Sequence, residues 1–199
     1  MSRRRKRRQT IDKRPTVEQI ERELQHEHYK ERYGKTLRNT IYTLIVVAAV
    51  AILVATLMLP VLRIYGSSMN PALYDGDIVV SVKNLNFERS DVVAFYYNNK
   101  ILVKRVIGFP GEWVDISEDG IVSVNGEVIE EPYVSELALG ECDITLPYQV
   151  PDGRYFVMGD HRSVSVDSRS TAVGCISEEQ IVGRLMFRLW PFSGFGEIQ

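Results

Sequence analysis

Between Asn39 and Leu62 the chain runs for twenty-four residues without a charged side chain, NTIYTLIVVAAVAILVATLMLPVL. Crossing the hydrocarbon core of a bilayer takes about 20 apolar residues at helical rise. The competing readings are a buried core helix and a cleaved signal peptide. The stretch exceeds the usual apolar core of a signal peptide, and a 38-residue tail precedes it, so an uncleaved transmembrane signal-anchor helix over 39–62 is expected.

Charge gives the anchor a direction. Residues 1–38 carry thirteen Lys/Arg and six Asp/Glu, a net of +7, and the remaining 161 residues carry a net of −9. A split of this kind argues for two environments on either side of a boundary. The run Arg3–Arg8 and the later Lys30, Arg32, Lys35 and Arg38 all precede the apolar stretch. The positive-inside rule then keeps 1–38 as a basic cytoplasmic tail and puts 63–199 outside. Beside an anchor, such a basic run is expected to touch anionic membrane lipid rather than nucleic acid. Between the run and the anchor, TVEQIERELQHEHYKERYGKTL reads as a short solvated helix. His26 and His28 within it have no cysteine or third histidine nearby, and no metal site is expected there.

The outer segment alternates short apolar runs with turn signals. Strands are expected at Asp77–Lys83, Asp91–Tyr97, Ile101–Gly108, Glu112–Ser117 and Ile121–Ile129. Asn98-Asn99, Asp119-Gly120 and Asn125-Gly126 are good tight-turn dipeptides. The pattern allows one short helix, at Ser177–Ile181. A mostly β, antiparallel, β-barrel-like or sandwich-like domain follows. Cys142 and Cys175 both fall outside the anchor, where a disulfide between them is permitted.

Two stretches raise the question of chemistry. YGSSMNPALYDGD, Tyr65–Asp77, places two serines a few residues beyond the anchor. A serine hydroxyl is a poor nucleophile until something takes its proton. His161 is the only histidine of the outer segment, but a lysine can serve if burial lowers its pKa. In ILVKRVIGFPGE, Lys104 alternates with Leu102 and Val106 on one face of a strand, with Arg105 facing the other way. Lys104 is then either an edge-strand guard or a buried amine with a function. The second stretch, GDHRSVSVDSR at Gly159–Arg169, is a solvated loop or a polar network in which Asp167 and Arg169 pair and Ser165 bonds an amine.

The ordered set GSSMNP, GD, DVVAF, KRVIGFPGE, GD-x-R-x-x-S-x-D-S-R and IVGR, spread over about Ile64 to Pro191, resembles type I signal peptidase. That family comprises membrane-bound serine–lysine peptidases that remove signal peptides, and the single N-terminal anchor resembles its Gram-positive-like branch. The resemblance implies Ser68 as nucleophile, because the family's serine directly precedes the methionine, here Met69. It implies Lys104 as general base, Ser165 orienting the amine, and Asp160, Asp167 and Arg169 holding the surrounding loop. Ile64, Met69 and Val103 match apolar positions that shape small-residue pockets, and Gly66 stands where some members carry a second oxyanion hydroxyl. The backbone N–H of Ser68 is then the expected oxyanion donor. No cofactor is implied. The implied partners are preprotein signal peptides of Ala-X-Ala type, membrane lipid and the secretion translocon; the implied place is the plasma membrane, single-pass. Three positions depart from the family pattern: Ala72 for a threonine, Val164 for an asparagine and His161 for another asparagine. The alternative reading is a signal-peptidase-like assembly or chaperone factor with little cleavage, and a third is a receptor or adhesion module on an anchor.

Overall fold

The computed structural model describes residues 16–83 and 86–198; the basic run Arg3–Arg8 lies outside them. The chain divides into two units, one ending at Leu53 and one beginning at Val54.

The first unit is helical. Helix α1, Val17–Met58, joins the expected solvated helix and most of the expected anchor in one element. Gln19 caps its start by accepting the Thr16 N–H through its side chain at 3.0 Å, while its own N–H bonds the Thr16 carbonyl at 3.0 Å. Pro60 follows its end, as expected for a residue that disfavours helix just before it. The helix therefore stops at Met58, short of Leu62. Among the described residues this is the one helix long and apolar enough to cross a membrane. Its apolar side chains, among them Ile41, Leu44, Val47, Val50 and Leu53, are exposed. Near the start of the apolar stretch, Thr40 and Thr43 fold their hydroxyls back onto the Thr36 and Asn39 carbonyls, at 3.0 and 2.9 Å, satisfying them inside the helix itself.

The second unit is built of antiparallel strands. Its elements are β1 (Val61–Arg63), β2 (Ile78–Val82), β3 (Val92–Tyr97), β4 (Lys100–Gly108), β5 (Trp113–Ile116), β6 (Val122–Val124), β7 (Glu127–Val128), β8 (Tyr148–Gln149), β9 (Arg154–Met158), β10 (Ile176–Ser177), β11 (Ile181–Trp190) and β12 (Gly196–Glu197). The larger sheet runs β1-β2-β11-β3-β4-β9-β10, with β12 on β11; the smaller runs β7-β6-β5-β8. The expected mostly β, antiparallel domain after one apolar helix is thus present. It takes the form of two sheets, and no pairing closes β1 onto β10 among the described residues. The expected strands at 77–83, 91–97, 101–108 and 112–117 form within a residue or so at most ends. The run 121–129 splits at Asn125-Gly126 into β6 and β7. At Asn125 and Gly126 the φ angles are positive, 53° and 84°, which that dipeptide tolerates well. The short helix near Ser177 is a single 3₁₀ turn, Glu178–Gln180, closed by a capping box from Ser177.

Alternation fails in the centre of the larger sheet because both faces are covered. On β4, Val106 packs with Val93, Phe95 and Val157, while the next residue, Ile107, packs on the opposite side with Val114, Val150 and Phe156. A third cluster, Ile64, Met69, Leu73, Val79, Val92 and Leu185, lies around the chain that carries Ser68.

Candidate active site

Ser68 sits on a loop that leaves β1 and returns into β2. Backbone bonds close its base: Ile64 N–H to Asp77 carbonyl at 2.8 Å, and Gly76 N–H to Ile64 carbonyl at 2.9 Å. At Gly66, φ is +89°, a conformation that glycine adopts without strain. Its N–H donates to Asp75 Oδ1 at 2.7 Å. Met69 and Leu73 pin the far side, at 1% and 0% exposure. A second brace is Arg188 of β11, which donates to the Ala72 carbonyl at 2.6 Å and pairs with the buried Asp77 at 3.2 Å. Of the two serines, Ser67 is exposed and Ser68 is half-buried.

Lys104 comes from β4 and is 3% exposed. Its Nζ lies 2.6 Å from Ser68 Oγ. The amine is buried and meets Ser68 rather than solvent, so the edge-guard reading of Lys104 falls. Burial drives the amine's pKa from 10.5 down to about 8; Asp167 opposes the change, Arg169 adds to it and Asp160 opposes it. Desolvation wins because each carboxylate is matched by its own guanidinium rather than by the amine.

Those pairs form the floor of the site. Asp160 takes two bonds from Arg105, at 2.8 and 2.6 Å, with both side chains at 1% exposure or less. Arg105 follows Lys104 on the opposite face of β4, as alternation expects, but that face is not wet. Arg105 is 1% exposed, because the polar loop 159–169 folds over it. Asp167 accepts from Arg169 at 2.8 Å through Nε and 2.8 Å through Nη2, and from the Gly159 N–H at 2.9 Å. Burial alone would raise the Asp167 carboxyl, but the Arg169 bonds and the Gly159 N–H outweigh it and hold it below the usual carboxylate range. The segment 159–169 is therefore a buried polar network at Asp160, Arg162, Ser165, Asp167, Ser168 and Arg169, not a solvated loop.

Ser165 is 2% exposed. Its hydroxyl meets no partner in hydrogen-bonding geometry, so the bond to the Lys104 amine implied by the resemblance is not formed. It lies near Asp167 and adds to the pull that keeps that carboxyl ionised. Gly159 explains why the groups lie so close. A Cβ there would collide with Ser165 Oγ and stand 2.5 Å from the Ser68 carbonyl oxygen, so only glycine fits. The His161 N–H also donates to that Ser68 carbonyl, at 3.1 Å.

Ile64, Gly66, Met69 and Val103 line one cavity of about 790 Å³ together with Ser68 and Lys104. Its two long walls are Leu62–Met69 and Asn99–Lys104. On β4, pairing with β9 begins only at Arg105, opposite Met158; over Lys100–Lys104 no strand pairs with that edge among the described residues. Cys142 and Cys175 are free thiols. Burial pushes the Cys175 thiol up to about 11, so it stays protonated in the core.

The site's outer braces gave no sign in the sequence: Arg105 as a buried partner of Asp160, Arg188 with Asp77, and Glu131 with Arg162. In each pair the members lie far apart along the chain, and no local spacing announces them.

A half-buried serine hydroxyl and a buried amine of lowered pKa thus meet in an apolar cleft, a combination that suits a serine endopeptidase. The chain belongs to the signal peptidase family, peptidase S26, whose model matches residues 37–190. It is 39% identical over 181 residues to Signal peptidase IB of Staphylococcus aureus, covering 81% of this chain and 93% of that one. With Signal peptidase I of Bacillus amyloliquefaciens the identity is 35% over 179 residues, covering 81% and 92%. A crystal structure of a signal peptidase I from Enterococcus faecalis aligns with 31% identity and a TM-score of 0.41, over 50% of this chain and 97% of that one.

Proposed function

We propose that this chain removes signal peptides from exported preproteins with Ser68 as nucleophile and Lys104 as general base. The observation that carries this reading is the 2.6 Å approach of Lys104 Nζ to Ser68 Oγ in an apolar cleft. In the charged form the ammonium donates to the hydroxyl. In the neutral form the hydroxyl donates to the amine, which is the reactive arrangement. Lys104 takes the Ser68 proton as Oγ attacks the scissile carbonyl carbon. The Ser68 N–H stabilises the resulting oxyanion. The tetrahedral adduct collapses, and the C–N bond breaks as Lys104 returns the proton to the leaving amine. Water, deprotonated by Lys104, then cleaves the acyl ester and frees Ser68.

The unpaired edge of β4 suits an extended peptide added as a strand between the cavity walls. Ile64, Met69 and Val103, with no side chain on Gly66, leave room for small residues and favour Ala-X-Ala before the cut. Asp160, Asp167 and Arg169 fix the floor under the lysine. In this reading 1–38 is cytoplasmic, 39–62 crosses the plasma membrane, and 63–199 works at its outer surface. There the anchor holds Ser68 near substrates emerging from the translocon, against membrane lipid.

The test is incubation of the full chain in detergent with a preprotein carrying an Ala-X-Ala site, followed by N-terminal sequencing of the product. Ser68→Ala should abolish cleavage and Ser67→Ala should leave it. The reverse pattern would assign the chemistry to the other hydroxyl; no cleavage by the parent would overturn the function.

A further inference from the structure

Residues 130–147 link β7 to β8 and contribute no strand to either sheet among the described residues, yet the linker grips the loop 159–171 at three places. Asp143 Oδ1 and Oδ2 accept from the Thr171 N–H at 2.6 Å and its hydroxyl at 3.0 Å. The Leu139 carbonyl accepts from Arg169 Nη1 at 2.5 Å. Next to it Gly140, at φ +64°, lies so close that a Cβ would collide with the Arg162 carbonyl oxygen. The third grip is Glu131. Its two oxygens take Arg162 Nη2 at 2.5 Å and Nη1 at 3.0 Å. Both side chains are buried, at 4% and 0% exposure.

The third grip leads to the nucleophile. Arg162 uses its remaining Nε–H on the Gly159 carbonyl at 3.1 Å. Gly159 is packed against the Ser68 carbonyl, and His161, the residue before Arg162, donates its N–H to that same carbonyl. Glu131 also accepts from the Tyr133 hydroxyl at 3.0 Å, and the Tyr133 ring lies 3.8 Å under the Arg105 guanidinium that holds Asp160. One carboxylate thus braces Gly159-Asp160-His161-Arg162 from both ends.

We propose that Glu131 is a positioning residue for the peptidase reaction, acting through Arg162 to hold Gly159 and His161 against the Ser68 carbonyl. It touches neither substrate nor reacting atoms. Its effect is on the Ser68 residue, whose N–H is the oxyanion donor and whose side chain attacks. Such a residue should alter turnover rather than substrate affinity, because the groove walls at Leu62–Met69 and Asn99–Lys104 are not among its contacts. This inference rests on the peptidase reading above.

The experiment uses the full chain in detergent and a peptide spanning an Ala-X-Ala cut, with kcat, KM and thermal stability read for three variants. Arg162→Lys keeps a cation for Glu131 but cannot also span to the Gly159 carbonyl. It should lower kcat by roughly tenfold or more with KM within about twofold, since small misplacements of reacting groups are costly. Glu131→Gln leaves Arg162 buried without a counter-charge and should lose both stability and kcat. In Glu131→Gln/Arg162→Met both charges are gone; the thermal midpoint should recover while kcat stays low. A merely structural pair would give the opposite result: kcat restored together with the midpoint in the double variant, or parent-like kcat in Arg162→Lys. Either would overturn the proposal. A parent that cleaves nothing would instead count against the peptidase reading itself.

Discussion

Lys104 and Arg105 are neighbours on β4, buried at 3% and 1% exposure, and the protein treats them oppositely. At Arg105 β4 is paired on both edges, with Val92 of β3 and Met158 of β9, and the guanidinium is matched by Asp160, by the Ser90 carbonyl at 2.7 Å and by the Tyr133 ring. Up to Lys104 one edge is open to the cavity, and the amine meets a hydroxyl rather than a carboxylate. The paired cation keeps its charge and ties loop to sheet. The unpaired one is pressed toward its neutral form, which is what a general base requires. The difference teaches that burial alone does not decide what a charge does in an interior. The nearest partner does.

The largest effect that would sharpen this contrast is on turnover. Lys104→Arg places a guanidinium, which does not give up its proton at workable pH, beside Ser68. Peptide cleavage should fall by about 10⁴-fold or more, with circular dichroism and thermal unfolding still cooperative. Cleavage near the parent rate would make Lys104 a bystander and direct attention to His161.

On the other side of the boundary the effect is on stability. Arg105→Met strips Asp160 of its bidentate partner inside the core. Breaking a buried pair by removing one member costs about 3–5 kcal/mol, which denaturant unfolding of the detergent-solubilised chain would read as a lower midpoint. A variant as stable as the parent would mean that the Asp160 network is dispensable and that the contrast between the two cations is only geometric.

How much of the molecule is legible in its sequence follows the same boundary. The apolar helix is visible because twenty-four residues without charge leave few alternatives, though it runs back to Val17 and ends at Met58. That continuation through charged residues is hidden, since α1 has solvated and apolar halves with no break in propensity between them. The strands are readable from period and turn dipeptides. Their sheet order is not, because β11 enters between β2 and β3 from far along the chain. Lys104 stands out as a polar residue among Leu102 and Val106. The burial of Arg105 does not, because alternation assumes one wet face, and the loop from Gly159 covers it. Glu131 carries no signal at all: its meaning arises only when the linker crosses Arg162.

The last prediction uses pH to set the two cations apart again. With a folded pKa of about 8 against an ordinary value of 10.5, Lys104 binds its proton less tightly in the folded chain than in the unfolded one. Below about pH 8 both states are protonated, and the folded state bears the full cost of a buried ammonium. Between about 8 and 10.5 the folded amine is neutral while the unfolded one is still charged, so the unfolded state binds more protons and stability rises with pH. The rise should total about 3 kcal/mol, since each pH unit between the two values is worth about 1.4 kcal/mol. Lys104→Met should lack that rise and should be more stable than the parent at neutral pH by a similar amount, the reverse of Arg105→Met. Activity should follow the same titration: cleavage falls about tenfold per pH unit below about 8 and levels off above it, because only the neutral amine can take the Ser68 proton. Two measurements over about pH 6 to about pH 11 check both arms together: thermal unfolding of the parent and Lys104→Met, and kcat/KM of the parent. A cleavage inflection near 10.5, or the same stability slope in Lys104→Met as in the parent, would mean that the amine is not desolvated, and the distinction between the two halves of β4 would collapse.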